Sequence, residues 1–391
     1  MRGTTLPTAL ALVAVLTVPA LACIWDDDTL LDERRGLPGV AEVIAGKWER
    51  HSPFFYEHRA TVMAARLAKD PNDLAAYDNR AVAYEKLGKA DQAIAVMLKK
   101  DKVKPGEYTT EANLGTFYLH TGDMENGIAH IRKALEINPD AHFGREKYQL
   151  MAAEYLQRAK ANPSELDLGS FVLPELFRAT PETREIAGEQ GYGNLITSRR
   201  NEMWHGRGHD PRLTDKPIQG VVGMIRFGTG TSPHLYHALG DLLAHRGDRH
   251  LALRAYRRAL QFNHPRPELL KEAIAAVEGA VENKSELSDA VIAKEQAEAE
   301  AWVKAYQRYE DDLVCAGREP QAEADYAPFY ARYGSARPTP TGFAVAANDA
   351  TKFVRRYGWV AAGFVALVLA LIVRAKLKSR KRRRLAAGVA A

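Results

Sequence analysis

His234, His237, Asp241 and His245 follow one another at spacings of 3, 4 and 4 residues. On a helix those spacings gather all four within roughly 80° of one face. Neutral imidazole beside a carboxylate is donor chemistry for zinc and similar divalent ions. The outer two histidines stand about 16 Å apart along such a helix, so one ion takes at most a pair, His237 with Asp241 or Asp241 with His245, and needs ligands from elsewhere. No metal is assigned on that basis. A second group, Trp204-His205-Gly206-Arg207-Gly208-His209-Asp210, carries glycines that argue against the i, i+4 geometry of a zinc helix and for a surface loop. Phe227-Gly228-Thr229-Gly230-Thr231-Ser232 leads into a helix with Ser232 as cap and Pro233 as its first residue. Free N–H groups there suit an anion, but the Lys-Ser/Thr ending of a nucleotide loop is missing, so the stretch reads as a flexible lead-in. Asp26-Asp27-Asp28 reads as a solvated charge run rather than a calcium site. With no local Ser/His/Asp or Cys/His motif, neither a catalytic residue nor a cofactor is assigned.

The elements that must position these groups repeat. Pro71, Pro105 and Pro139 are each 34 residues apart, and the same offset relates Ala81 to Gly115, Tyr84 to Tyr118, Gly88 to Gly122, Ala93 to Gly127 and Met97 to Ile131. The pattern predicts two helices per unit, over 74–87 and 90–102, then over 110–120 and 124–137, with Gly88 and Gly122 in the turns and the prolines closing each unit. Two helices of about 12 residues packed antiparallel leave one apolar face uncovered, which the next unit covers. Small residues at 81 and 115 let the paired helices approach closely.

These residues resemble the tetratricopeptide repeat family, whose period is 34. Its small residue in the first helix falls on Ala81 and Gly115, its aromatic on Tyr84 and Tyr118, its small residue in the second helix on Ala93 and Gly127, and its closing proline on Pro105 and Pro139. A later unit keeps the pattern in Tyr236, Leu239, Gly240, Gly247, Ala252, Tyr256 and Ala259, with Pro265 one place late. A degenerate unit begins at Val40, with Lys47 where a small residue is wanted. The family's late Ala is kept as Ala134 but replaced by Lys100 in the unit between. The resemblance implies an all-α fold: a tetratricopeptide helix-turn-helix array with an irregular insertion. It also implies a non-catalytic scaffold whose concave groove receives a protein or peptide partner, and matching to the groove-facing positions selects Asp78, Val82, Glu85, Asn113, Thr116, His120, His237 and Asp241.

The two ends suggest an address. The chain has 391 residues and a formal charge of +5, yet the last 18 hold eight of the 54 basic residues and no acid. Setting those and Arg2 aside leaves 45 basic against 49 acidic residues, a net −4, so the body shows no nucleic-acid-binding character. Arg2, the apolar run from Ala9 to Val18 and Ala20-Leu21-Ala22 before Cys23 read as an export signal over 1–22. Cys23 then becomes a lipid acceptor, a free thiol or a disulfide partner of Cys315. Tyr357 to Val373 is uncharged over 17 residues and precedes the basic cluster, which predicts one C-terminal transmembrane helix with the tail cytoplasmic and the body outside, as in a bacterium.

The expected organisation is therefore an N-terminal segment with the degenerate repeat (23–73), repeat units and a capping helix (74–160), the insertion (161–232) and a further unit (233–265). C-terminal helices (266–335), a tether (336–356), the membrane helix (357–373) and the basic tail (374–391) follow. Trp302, Tyr306, Tyr309 and Leu313 mark one helix face that packs on a partner element. Two other classes stay open beside the membrane-anchored scaffold: a metal-dependent protein or enzyme using histidines of 161–250, and a structural subunit of an envelope complex.

Overall fold

The computed structural model describes residues 24–27, 29, 37–140, 144–172, 192–205, 215–281, 284–318, 320 and 323–336. The expected export signal, the residues of the expected tether past 336, the expected membrane helix and the basic tail lie outside them, as does Cys23. Among the described residues the regular structure is helical, with no strand, and no helix is long and apolar enough to cross a membrane.

Two helical hairpins stand where the 34-residue period puts them. We name α1 Val40–Ala45, α2 Pro53–Lys69, α3 Leu74–Lys86, α4 Ala90–Val103, α5 Tyr108–Thr121 and α6 Met124–Ile137. The starts are encoded locally. Pro53 occupies the first turn of α2 while Ser52 Oγ accepts from Phe55 N, and Asp73 and Asp123 accept from Ala76 N and Asn126 N at the starts of α3 and α6. Gly122 ends α5 in the left-handed region, at φ 85°, which a side chain there would disfavour.

Each hairpin closes through its small residues. A Cβ on Gly115 would lie 2.6 Å from Ile131 Cδ1 and 3.0 Å from Ile131 N, and one on Gly127 would lie 2.6 Å from Leu119 Cδ2. The two glycines thus let α5 and α6 meet at backbone distance, each filled by an apolar side chain of the other helix. Tyr84 and Tyr118 both flank the apolar cluster built from Ala81, Val82, Ala93, Met97, Leu114 and Phe117, so the period relates positions that are equivalent in space.

α7 Arg145–Ala161 covers α6. Within the expected insertion, the described residues form a 3-10 turn, Pro163–Leu168, and two helices, α8 Tyr192–Trp204 and α9 Asp215–Phe227. α9 packs on α7 through its own close approach, with Gly220 against the Tyr148 ring and Gly223 against Arg145. The late hairpin, α10 Pro233–Arg246 and α11 Arg249–Gln261, follows, with Gly240 on the Tyr256 ring, and α12 Pro267–Glu278 packs on α11. α1 is six residues long and packs on α9, α11 and the long α13 Asp289–Cys315. α13 carries the Trp302, Tyr306 stripe onto Tyr326 and Phe329 of α14 Glu323–Tyr333, with Tyr306 stacked on Tyr326 at 5.4 Å. Glu295, which interrupts the stripe, pairs with Arg254 of α11 at 2.9 Å.

Gly115→Leu forces bulk into the place held by Ile131. Its thermal unfolding should show a loss of about 1–3 kcal/mol, and an unchanged midpoint would contradict the helix contact.

Candidate functional site

The inner face of α3 and α5 is built on a buried ion pair. Lys100 Nζ lies 2.7 Å from both carboxylate oxygens of Asp78, and these side chains are 1% and 9% exposed. Lys100 stands where the family has a small alanine, and its length reaches across from α4 to α3. Thr109 Oγ1 donates to Asp78 at 3.2 Å, and Asn113 Nδ2 approaches the same carboxylate at 3.4 Å. Burial pushes the Asp78 carboxyl up to about 6, against the opposing pull of Lys100. Removing one partner of such a pair strands the other and costs about 3–5 kcal/mol.

Asp78 and the Trp25 main chain suit the same orientation of the Asn113 amide. With Nδ2 turned toward the carboxylate, Oδ1 is left facing the other way. Asn113 Oδ1 accepts from Trp25 N at 2.8 Å and Asn113 Nδ2 donates to Trp25 O at 3.0 Å. One residue offers its N–H and C=O in the same direction when its backbone is extended, so the amide stands in for a neighbouring strand. The equivalent asparagine one unit earlier, Asn79, donates from Nδ2 to Asp27 Oδ2 at 3.0 Å. Ile24, 1% exposed, fits among Val82, Leu114 and Phe117, and the Trp25 ring meets Tyr108 edge-on at 5.4 Å. Asp26 is buried and accepts from Thr29 N at 2.8 Å. The acidic run expected in solvent is therefore drawn into the repeat face, at least through Asp26; Asp28 lies outside the described residues.

A cavity of about 510 Å³ continues beyond Ile24 and Asp26. Its walls include Val82, Glu85, His120, Lys86, Arg226 and Thr229. Glu85 Oε1 pairs with His120 Nδ1, while Glu85 Oε2 is buried with no hydrogen-bond partner among the described residues. Lys86 Nζ is held by the carbonyls of Phe227 and Gly228, at 2.5 and 3.1 Å. Burial lowers the Lys86 ammonium to about 8, against Glu85 and Asp26. The glycine-rich lead-in to α10 thus offers carbonyls to a cation. Ser232 does cap α10 with Pro233 behind it, but its hydroxyl makes no capping bond.

Thr116 is buried, donating to Ala112 O and accepting from Gln149 Nε2 of α7 at 3.0 Å each. His237 and Asp241 sit in a different place from the other six, in the late hairpin, each 1% exposed. Asp241 accepts from Ser170 Oγ at 2.6 Å, Tyr256 OH at 2.8 Å and Trp204 Nε1 at 3.1 Å. Trp204, expected in a surface loop, ends α8 and is buried, so the insertion docks on the inner face of α10 through Asp241. His237 Nδ1 lies 3.2 Å from His264 Nε2, and His234 packs edge-on against the same His264 ring. Among the described residues no three His, Cys, Asp or Glu side chains converge as a metal ion would require.

Sequence reasoning overlooked Asn79, Lys86, Arg226 and the segment from Ile24. The 34-residue offset of Asn79 and Asn113 was a signal for the first, and Lys100 in place of alanine was a signal that something acidic lay buried opposite it.

Comparison with known families matches the tetratricopeptide repeat over residues 74–105 and 112–141. The chain therefore carries two such repeats, of a kind that typically serves protein interaction without catalysis. The search of curated proteins returned no match.

The histidines of α10 make stability depend on pH. Burial lowers His234 to about 3, and burial also lowers His237 and His264, with Asp241 opposing it at His237, neighbouring histidines adding to it at His264, and Arg200 and Arg266 facing the group. A folded-state value below the unfolded one near 6.5 means that the unfolded chain binds the extra protons, so stability is lost as pH falls below about 6.5. Asp78, raised to about 6, runs the other way between about 6 and 4. Denaturant titrations from pH 7 to 5 should show a falling stability, by up to about 1.4 kcal/mol per pH unit for each neutral histidine. His264→Phe should flatten that slope, and a flat wild-type profile would contradict the buried neutral cluster.

Proposed function

We propose that this chain is a non-catalytic scaffold that captures a segment of a protein partner on the concave face of its repeats, held at the outer face of the cytoplasmic membrane by residues 357–373. One observation carries the reading. The inner face of α3 and α5 opens on a cavity of about 510 Å³ whose walls mix an apolar floor, Val82, with carboxylate, imidazole and ammonium groups, Glu85, His120 and Lys86. Such a mixture suits a peptide, which offers apolar side chains, charges and backbone amides together. Stacked helix pairs hold that surface ready, so little ordering of the scaffold opposes binding. Asp78, Asn113 and Thr116 act from beneath, setting the shape of the groove, while Val82, Glu85 and His120 meet the partner. His237 and Asp241 form a second inner face, where the insertion is already seated.

The ends of the chain support the location. A leader-like 1–22, an uncharged 357–373 and a basic 374–391 support a body outside and a tail inside. Anchoring raises the effective concentration of a captured partner near the bilayer. The basic tail then meets anionic headgroups rather than nucleic acid.

A photo-crosslinking amino acid at Ala90, on the cavity wall, compared with one at the exposed Leu98, tests the groove in native membranes. Protein adducts should form from position 90 and be absent from position 98. Adducts from 98 alone would instead identify a structural subunit that assembles through its outer surface.

A further inference from the structure

The groove already holds a peptide, and that peptide is the chain's own. Residues 24–27 reach α3 and α5 from 52 and 88 residues away in sequence, and the two bonds Asn113 makes to Trp25 are to main chain. Neither Ile24 nor Trp25 lies in a helix. The Trp25 backbone polar groups would need water or a partner, and a side-chain amide supplies the partner. Each contact corresponds to a subsite. Val82, Leu114 and Phe117 take an apolar side chain, Asn113 takes one residue by its main chain, Tyr108 takes an aromatic ring by its edge, and Asn79 takes a carboxylate two residues on. Lys86, which lines the same cavity as Asp26, adds a positive charge there.

The segment also fails to fill what it occupies. The cavity runs on past Ile24, Asp26 and Thr29 to Glu85, whose Oε2 is buried and without a hydrogen-bond partner among the described residues. A buried carboxylate oxygen left in that state is costly, and a longer ligand carrying a donor would relieve the cost. A site with more recognition groups than its internal occupant uses is larger than that occupant.

We propose that residues 24–27 are an internal stand-in for the partner, and that the partner presents a segment of apolar–aromatic–x–acidic character, non-helical at its first two residues, which displaces them. The proposal rests on the reading of the groove as a receptor and adds what it recognises and what blocks it. Two asparagines at the repeat offset read the segment, one through its main chain and one through its acid, so the order of side chains matters and not only their composition. Because the stand-in is covalently attached, it competes at a high effective concentration, and the apparent affinity for an outside segment falls by the fraction of time the groove is free.

The full-length chain in detergent and a fluorescent peptide Ile-Trp-Asp-Asp-Asp-Thr provide the test, with the scrambled Asp-Thr-Asp-Ile-Asp-Trp as control. Ile24→Asp combined with Trp25→Pro places a charge in the apolar subsite and removes the N–H that Asn113 accepts, so it should free the groove. The released chain should bind the peptide at least tenfold more tightly than the unaltered chain and at least tenfold more tightly than it binds the scrambled peptide. Equal binding by the released and unaltered chains, or no preference over the scrambled peptide, would overturn the proposal. Hydrogen–deuterium exchange on the unaltered chain gives a second reading that needs no variant. Saturating peptide should raise uptake in residues 24–27 while α3 and α5 stay protected, and unchanged uptake there would overturn displacement. Adducts from position 90 in membranes together with no peptide binding would leave the scaffold reading standing and remove this one.

Discussion

A lysine buried against an aspartate sets the character of the repeat face. Most units of this kind close with a small residue at the end of the second helix, where the packing asks only for a side chain that does not intrude. Lys100 brings a charge into that space instead, and the charge is tolerable only because Asp78 meets it with both oxygens and Thr109 adds a hydroxyl. The same carboxylate lies against the Asn113 amide, and the amide takes hold of the Trp25 main chain, which belongs to no helix. Charge burial, amide orientation and backbone capture thus form one chain of dependence running from α4 through α3 to α5.

The two described inner faces are handled alike by different means. In the early repeats, residues 24–27 lie against α3 and α5 through asparagines. In the late hairpin, Ser170 and Trp204 of the insertion lie against α10 through Asp241. Each face pairs polar side chains of a first helix with a segment from outside the hairpin, and the buried polar groups are thereby largely satisfied. The early face differs in opening on a cavity. Asp241 accepts from the side chains of Ser170, Trp204 and Tyr256, and burial favours the neutral form of the histidines beside it, while the early face keeps a cavity and a carboxylate oxygen without a hydrogen-bond partner among the described residues.

Much of the fold was legible because it rests on short-range rules. Spaced prolines, the glycines at 88 and 122 and the small residues at 81, 115 and 127 predict the hairpins of the early repeats to within a residue or two, because backbone sterics at those positions act locally. The aromatic stripe of α13 likewise announces a partner face, which α14 supplies. The site was legible only in part. Asp78, Val82 and Asn113 follow from their places in the period, but a period does not say that Lys100 crosses to Asp78, nor that Thr116 is consumed by Gln149. The triple aspartate reads as solvated from its charge alone. Asp26 is buried and accepts from Thr29 N, while Asp27 stays exposed and is held by Asn79, 52 residues away, a contact that no local pattern encodes. The insertion was hardest, since its helices are specified by docking on α7 and α10 and carry no repeat of their own.

Exchange of the Trp25 amide proton, followed by residue-resolved NMR in the unaltered chain and in Lys100→Met, tests this dependence most directly. If the buried pair sets the Asn113 amide, the Trp25 proton exchanges slowly in the unaltered chain and quickly in the variant, under conditions where α3 and α5 remain folded. Slow exchange in both, or fast exchange in both, would contradict it.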